Sequence, residues 1–189
     1  MTTPATGTSR DREAALALIA EIGVGMLTSR GNDRLDARPM RIHLDPGAGI
    51  LFFTHRHDAR GYAHVRDPAG LLTITDPAQG RYLSLSGTVS ILADRTSARA
   101  HWDSEAAEWF PGGPDDPDLM LVRFQPERGE LWEGPVHPGT GHHVTFALNV
   151  ADCVANARAH IEERLDEELD ESFPASDPPS TIQPHRAFT

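Results

Sequence analysis

The stretch Arg38-Pro39-Met40-Arg41-Ile42-His43-Leu44-Asp45-Pro46-Gly47-Ala48-Gly49-Ile50-Leu51-Phe52-Phe53-Thr54-His55-Arg56-His57-Asp58-Ala59-Arg60 decides how this chain is read. Leu35–Leu44 reads as a strand, Asp45-Pro46-Gly47 as a tight turn and Ile50–Thr54 as a second strand. His55 to Arg60 then open a helix. Such a unit can gather anion donors: Arg38 from a strand, the Thr54 hydroxyl, the N–H groups of the helix start, and Arg60. Met40, Phe52 and Phe53 beside them could line a flat ring system. The same residues also make an ordinary proline-bearing edge strand, followed by a solvated helix face in which Arg56 and Arg60 pair with Asp58. Spacing alone leaves both readings open.

Upstream, Thr8 or Ser9 can cap a helix whose Ala15, Leu18, Ile19 and Ile22 fall at helical spacing, and Gly23 and Gly25 stop it. Met26–Ser29 is a strand before the central stretch. Downstream, Leu71–Thr75, Tyr82–Leu92, Leu119–Phe124 and Glu130–Trp132 are strands, with helices over about 57–66 and 96–110. Many short strands with turn punctuation describe a sandwich or a barrel. A later pattern predicts an amphipathic helix over 150–171, with Val154, Ile161, Leu165 and Leu169 on one stripe and acids elsewhere. Residues 172–189 hold four prolines and read as a disordered tail. The organisation expected is therefore a disordered start over 1–8, one β-rich domain over 9–135, a loop over 136–149, the acidic helix and the tail.

Composition narrows the chemistry. The 189 residues carry 17 basic side chains, all of them Arg. Without Lys there is no Schiff-base lysine for pyridoxal phosphate and no P-loop lysine, so any anion is held by Arg, hydroxyls or backbone N–H. The formal net charge is −11. Residues 162–177 contain eight acids and one Arg, so much of that charge sits at one end. An acidic chain lacks the positive field that nucleic acid or an anionic membrane requires. The single cysteine, Cys153, cannot form an internal disulfide and fits a reducing compartment. With no secretory signal pattern and no apolar run of membrane-spanning length, a soluble cytoplasmic protein is expected.

Six motifs in order carry a likeness: Gly25-Met26-Leu27-Thr28, Arg38-Pro39-Met40, Leu51-Phe52-Phe53-Thr54, Asp67-Pro68, Tyr82-Leu83-Ser84-Leu85-Ser86-Gly87-Thr88, and Trp109-Phe110-Pro111-Gly112-Gly113-Pro114-Asp115-Asp116-Pro117-Asp118. From Met26 to Trp132 the chain resembles the flavin-binding split-barrel superfamily of pyridoxamine 5′-phosphate oxidase, and within it the general stress protein subgroup. The resemblance implies a mainly β, six-stranded split barrel with flanking helices. It also implies a homodimer with flavin mononucleotide (FMN) at the subunit interface. By position, Arg38, Pro39 and Met40 would lie along the ribityl chain and ring, and Phe53 and Thr54 beside the ring and phosphate. Arg60 matches the family's phosphate-pairing lysine, and Asp58 stands where that motif has serine. A carboxylate there repels a phosphate and removes a donor. The second subunit would bring Tyr82–Gly87 and Trp109, and Trp132 matches an aromatic near the ring; core or dimer packing accounts for both tryptophans equally well, and for Trp102 it is the plainer account.

Other constellations weigh less. His55 and His57 alternate, and His137, His142 and His143 fall in the expected loop, so no metal site is expected. Ser86-Gly87-Thr88 reads as a strand bend, and no serine sits in a nucleophile elbow. No residue stands out as an acid or base. Two roles stay open: a flavin-dependent oxidoreductase of small molecules, whose chemistry is the flavin's, and a non-catalytic flavin buffer or redox and stress sensor.

Overall fold

The computed structural model describes residues 5–31, 34–45, 48–63, 68–137 and 140–148. The expected acidic helix and tail lie outside the described residues. A short strand β1 (Ala5–Thr6) leads into helix α1 (Ser9–Ile22). Its start is a capping box in which the Thr8 N–H donates to Asp11 Oδ2 at 2.6 Å. Its end is Gly23, at φ 65°, whose N–H reaches the Ile19 carbonyl at 3.0 Å. The remaining elements are β2 (Val24–Gly31), β3 (Arg34–Arg41), β4 (His43–Asp45), β5 (Gly49–His55), α2 (Arg56–Ala63), β6 (Ala69–Asp76), β7 (Arg81–Leu92), α3 (Arg95–Ala100), α4 (Ser104–Trp109), β8 (Leu119–His137) and β9 (Thr140–Ala147).

The sheet runs β1-β9-β8-β7-β6-β2-β3, with β5 also on β8 and β4 on β5. β8 explains the shape. One of its edges pairs with β7 along most of its length, from Leu121 to Glu133. Its other edge is divided: Leu119–Phe124 pairs with β5, and Arg128–Glu133 pairs with β9. At Ile42 the chain passes from β3 into β4, which brings β3 beside β5 without a shared ladder, so the wall formed by β3, β2, β6, β7, β8 and β5 stays open at that seam while β9 and β1 continue the sheet past the split. The Ile42 N–H is satisfied by the Gly23 carbonyl at 2.8 Å. This is the split barrel expected from the sequence.

Alternation fills the interior. Leu27, Met40, Ile50, Phe52, Leu72, Leu83, Leu85, Val122, Phe124 and Leu131 pack together, and Ala15, Leu18 and Ile19 of α1 join them. Phe53 points the other way, into a smaller cluster with Ala98, Phe110, Leu119, Leu121 and Trp102, which seats α3 and α4 against the barrel's outside. Opposite Pro126, the β7–β8 register shifts at Ser86/Gly87. A Cβ on Gly87 would meet the Gln125 carbonyl oxygen at 2.1 Å, so the expected bend is a bulge that needs glycine.

Four local expectations are corrected. The span 136–149, expected as a loop, contains β9, held by the buried Val144 and Phe146 in register with β8. Ala5 and Thr6, placed in the disordered start, pair in parallel with Val144 and Thr145. The helix expected over 96–110 is two, because Asp94 and Asp103 each cap a start by accepting from Thr96 and Ala106 N–H at 2.8 Å. The strands expected over Leu119–Phe124 and Glu130–Trp132 are one, β8.

Candidate functional site

Five elements meet at a cavity of about 330 Å³ outside the barrel wall, with Val24 of β2 and His43 of β4 each adding one residue. β3 contributes Pro39, Met40 and Arg41, β5 contributes Phe53, Thr54 and His55, and α4 with its end contributes Glu105, Ala106, Trp109 and Phe110. Five of the residues singled out in the sequence, Pro39, Met40, Phe53, Thr54 and Trp109, are thus brought together. Met40 and Thr54 are buried, whereas Trp109 is 66% exposed at the rim. Trp109, expected from a second subunit, lines the cavity of its own chain.

Arg38 and Asp58 do not line the cavity; Arg38, beside Pro39 in β3, pairs with Asp58 in the first turn of α2, Nη1 to Oδ1 at 3.4 Å. Arg60 falls within α2, and its side chain lies outside the described residues. Trp132 does not line the cavity. It sits opposite Tyr82 in the β7–β8 register and stacks on His143, ring centres 4.6 Å apart and 13° from parallel. His142, read as part of a loop, lies in β9 with Nε2 2.9 Å from Asp11 Oδ1.

Two histidines were not legible as site residues. His43 is buried, with its ring 4.6 Å from Phe53 and 5.8 Å from His101, and it lines the cavity. Burial pushes its pKa down to about 4, with His101 adding to the effect and Asp103 opposing it. His43 is therefore neutral near pH 7, a donor and an acceptor set in an aromatic wall. His101 Nε2 is in turn 3.0 Å from the buried Asp45. His55 packs on Phe110 at 4.6 Å, and its Nδ1 is 2.8 Å from Asp118 Oδ2. That contact, with the Arg56 N–H, holds the Asp118 carboxyl below the usual carboxylate range. Only the Asp-rich run after Trp109 hinted at this pair.

The cavity's chemistry suits a planar conjugated ring. Proline, methionine, phenylalanine and tryptophan supply apolar faces, while Thr54 and neutral His43 supply a few polar atoms. Among the described residues, no three His, Cys, Asp or Glu side chains cluster as a metal site. No helix among them is long and apolar enough to cross a membrane.

A fold and site of this kind define the class. The chain belongs to the pyridoxamine 5′-phosphate oxidase like family, whose model matches residues 11–156. Among solved structures it is similar to a protein from Clostridium acetobutylicum related to general stress protein 26 of Bacillus subtilis. That match has 20% identity and a TM-score of 0.62, covering 75% of this chain and 97% of the other. It is also similar to the general stress FMN/FAD binding protein of Xanthomonas citri, at 23% identity and a TM-score of 0.60, covering 71% of this chain and 96% of the other. At these identities the likeness is one of fold. Among curated proteins, Protein bli-3 of Neurospora crassa is 28% identical over 87 residues, covering 42% of each chain, so the match spans less than half of that relative's length.

Proposed function

We propose that this chain is a flavin-binding protein of the general stress type, taking FMN in the cavity between β3, β5 and α4. The observation that carries the reading is the convergence of Pro39, Met40, Phe53, Thr54 and Trp109 from three separate elements on one aromatic-lined cavity. Pro39, Met40 and Phe53 would flank the ring, Trp109 would cover it from the rim, and Thr54 would bind the ribityl side. Bound flavin supplies hydride or electron transfer through its ring. The chain's part is to position the ring, exclude water with Phe53 and Phe110, and offer the neutral His43 imidazole as a hydrogen-bonding group.

The same reading includes a homodimer. Val24, Met26, Leu35 and Leu71 are large apolar side chains 38–68% exposed. They lie on the outer faces of β2, β3 and β6, where Met26 pairs with Pro39 and Thr28 with Leu71. This face runs into the cavity through Val24 and Pro39. A second copy seated there would cover the apolar strip and close the site.

The test is direct. Protein stripped of ligand and titrated with FMN should quench flavin fluorescence to an end point of one flavin per subunit. A protein that leaves flavin fluorescence and absorbance unchanged would sink the reading.

A further inference from the structure

By the resemblance, Arg38 would lie along the cofactor and Asp58 would stand in its phosphate motif, and these two residues are already paired with each other. Both oxygens of Asp58 are engaged, Oδ1 at 3.4 Å from Arg38 Nη1 and Oδ2 at 3.2 Å from His57 Nε2. The first N–H of α2, that of Arg56, is taken by Asp118, at 2.8 Å to its carbonyl and 3.2 Å to its carboxylate. The Arg56 guanidinium donates from Nε to the Pro117 carbonyl at 3.0 Å. Arg41, at the far wall, lies 3.1 Å from Asp103 and also pairs with Glu105. Arg38 and Arg41 are thus matched by three carboxylates, Asp58, Asp103 and Glu105, and the Arg56 guanidinium is spent on a backbone carbonyl. An arriving dianion must take Arg38 from Asp58 and then stand beside the displaced carboxylate.

Of these paired groups only Arg41 and Glu105 line the cavity itself, and its apolar faces stay open. Pro39, Met40, Phe53 and Trp109 offer apolar contact to any flavin, and the Thr54 hydroxyl serves a neutral polyol as well as a phosphate. Building on the flavin reading above, we propose that this site recognises flavin through its ring and ribityl chain. Asp58 is the specificity-determining residue, and it makes the phosphate contribute little, so unphosphorylated riboflavin is a ligand on a par with FMN. Arg38 and Asp58 are 40% and 36% exposed in their side chains, so solvent screening keeps the repulsion moderate.

The experiment is a pair of fluorescence titrations of the full chain, one with riboflavin and one with FMN, at fixed salt. In the unaltered protein the two dissociation constants should fall within about tenfold of each other, a gap of 1.4 kcal/mol or less. Asp58→Asn should tighten FMN on the order of tenfold and leave riboflavin unchanged. Asp58→Ser should act in the same direction, which guards against a fault peculiar to one variant. Adding Arg38→Ala to Asp58→Asn should remove the gain. An FMN preference beyond tenfold in the unaltered protein overturns the proposal, as does an Asp58→Asn change that moves both ligands equally or neither. Failure of both flavins to bind overturns the flavin reading itself, a result separable from a flavin site that simply prefers phosphate.

Discussion

His43 and Phe53 stand ring against ring, 4.6 Å apart, at the point where β4 and β5 meet the cavity. Their contact joins stability to pH. A buried imidazole with its pKa pushed down to about 4 resists protonation in the folded state, while the unfolded chain takes the proton near 6.5. The unfolded state therefore binds more protons across that interval, and stability falls as pH falls through it. Burial is the main cause of the shift; His101 and Arg41, facing the same ring, add to it, and Asp103 opposes it. The loss should reach about 3 kcal/mol between pH 6.5 and 4 and be absent above 6.5. Urea midpoints taken across this range check it. His43→Phe should flatten that slope; an unchanged slope would assign the acid sensitivity elsewhere.

Phe52 and Phe53 are consecutive but do different work. Phe52 is fully buried among the barrel side chains, and Phe53 lines the cavity. Phe52→Ala should cost about 3–5 kcal/mol of stability through the cavity it leaves. Phe53→Ala should cost less stability and weaken flavin binding, since it removes one wall of the site. Thermal melts and flavin titrations on the two variants separate these effects. Equal behaviour would mean that alternation on β5 does not divide core from site.

That division shows how much was legible in the amino-acid order. The apolar run Ile50–Thr54, the period-two alternation in Tyr82–Leu92, the Thr8 cap and the Gly23 stop marked real elements, because each is a local effect of side chain on backbone. Pro39, Met40, Phe53, Thr54 and Trp109 were singled out in the sequence, and they do line one cavity. The turn of the chain at Ile42 was not readable, since it is satisfied by the Gly23 carbonyl from another element. β9 was hidden because its glycine and histidines resemble a loop until Val144 and Phe146 find the barrel. His43 and the His55–Asp118 pair belong to the site only through tertiary contact, over 63 residues of sequence in the second case.

Gly87 should be intolerant of any side chain. Its bulge brings the Gln125 carbonyl oxygen to 2.1 Å from where a Cβ would stand, and that neighbour is backbone. Gly87→Ala should destabilise the protein by about 1–3 kcal/mol through forced backbone movement. The denaturation midpoint reads this out. A midpoint equal to that of the unaltered protein would mean that the β7–β8 register is free to slip.

The apolar strip on β2 and β6 yields the last prediction. Met26 is 40% and Leu71 38% exposed, and neither fills the barrel. Replacing both with Glu therefore removes no core contact, and the monomer's own stability should change by roughly 0.5 kcal/mol or less. In a dimer the same change sets buried carboxylates against an apolar partner surface, a burial that costs far more than the lost methyl contacts return. Met26→Glu with Leu71→Glu should convert a dimer to a folded monomer in light scattering, with near-native circular dichroism. Flavin binding should weaken with it, because the strip runs into the cavity at Val24 and Pro39, where a second copy would be its cover. A double variant that remains dimeric would place the subunit contact on another face, and one that is monomeric yet binds flavin at full strength would show that a single chain completes the site.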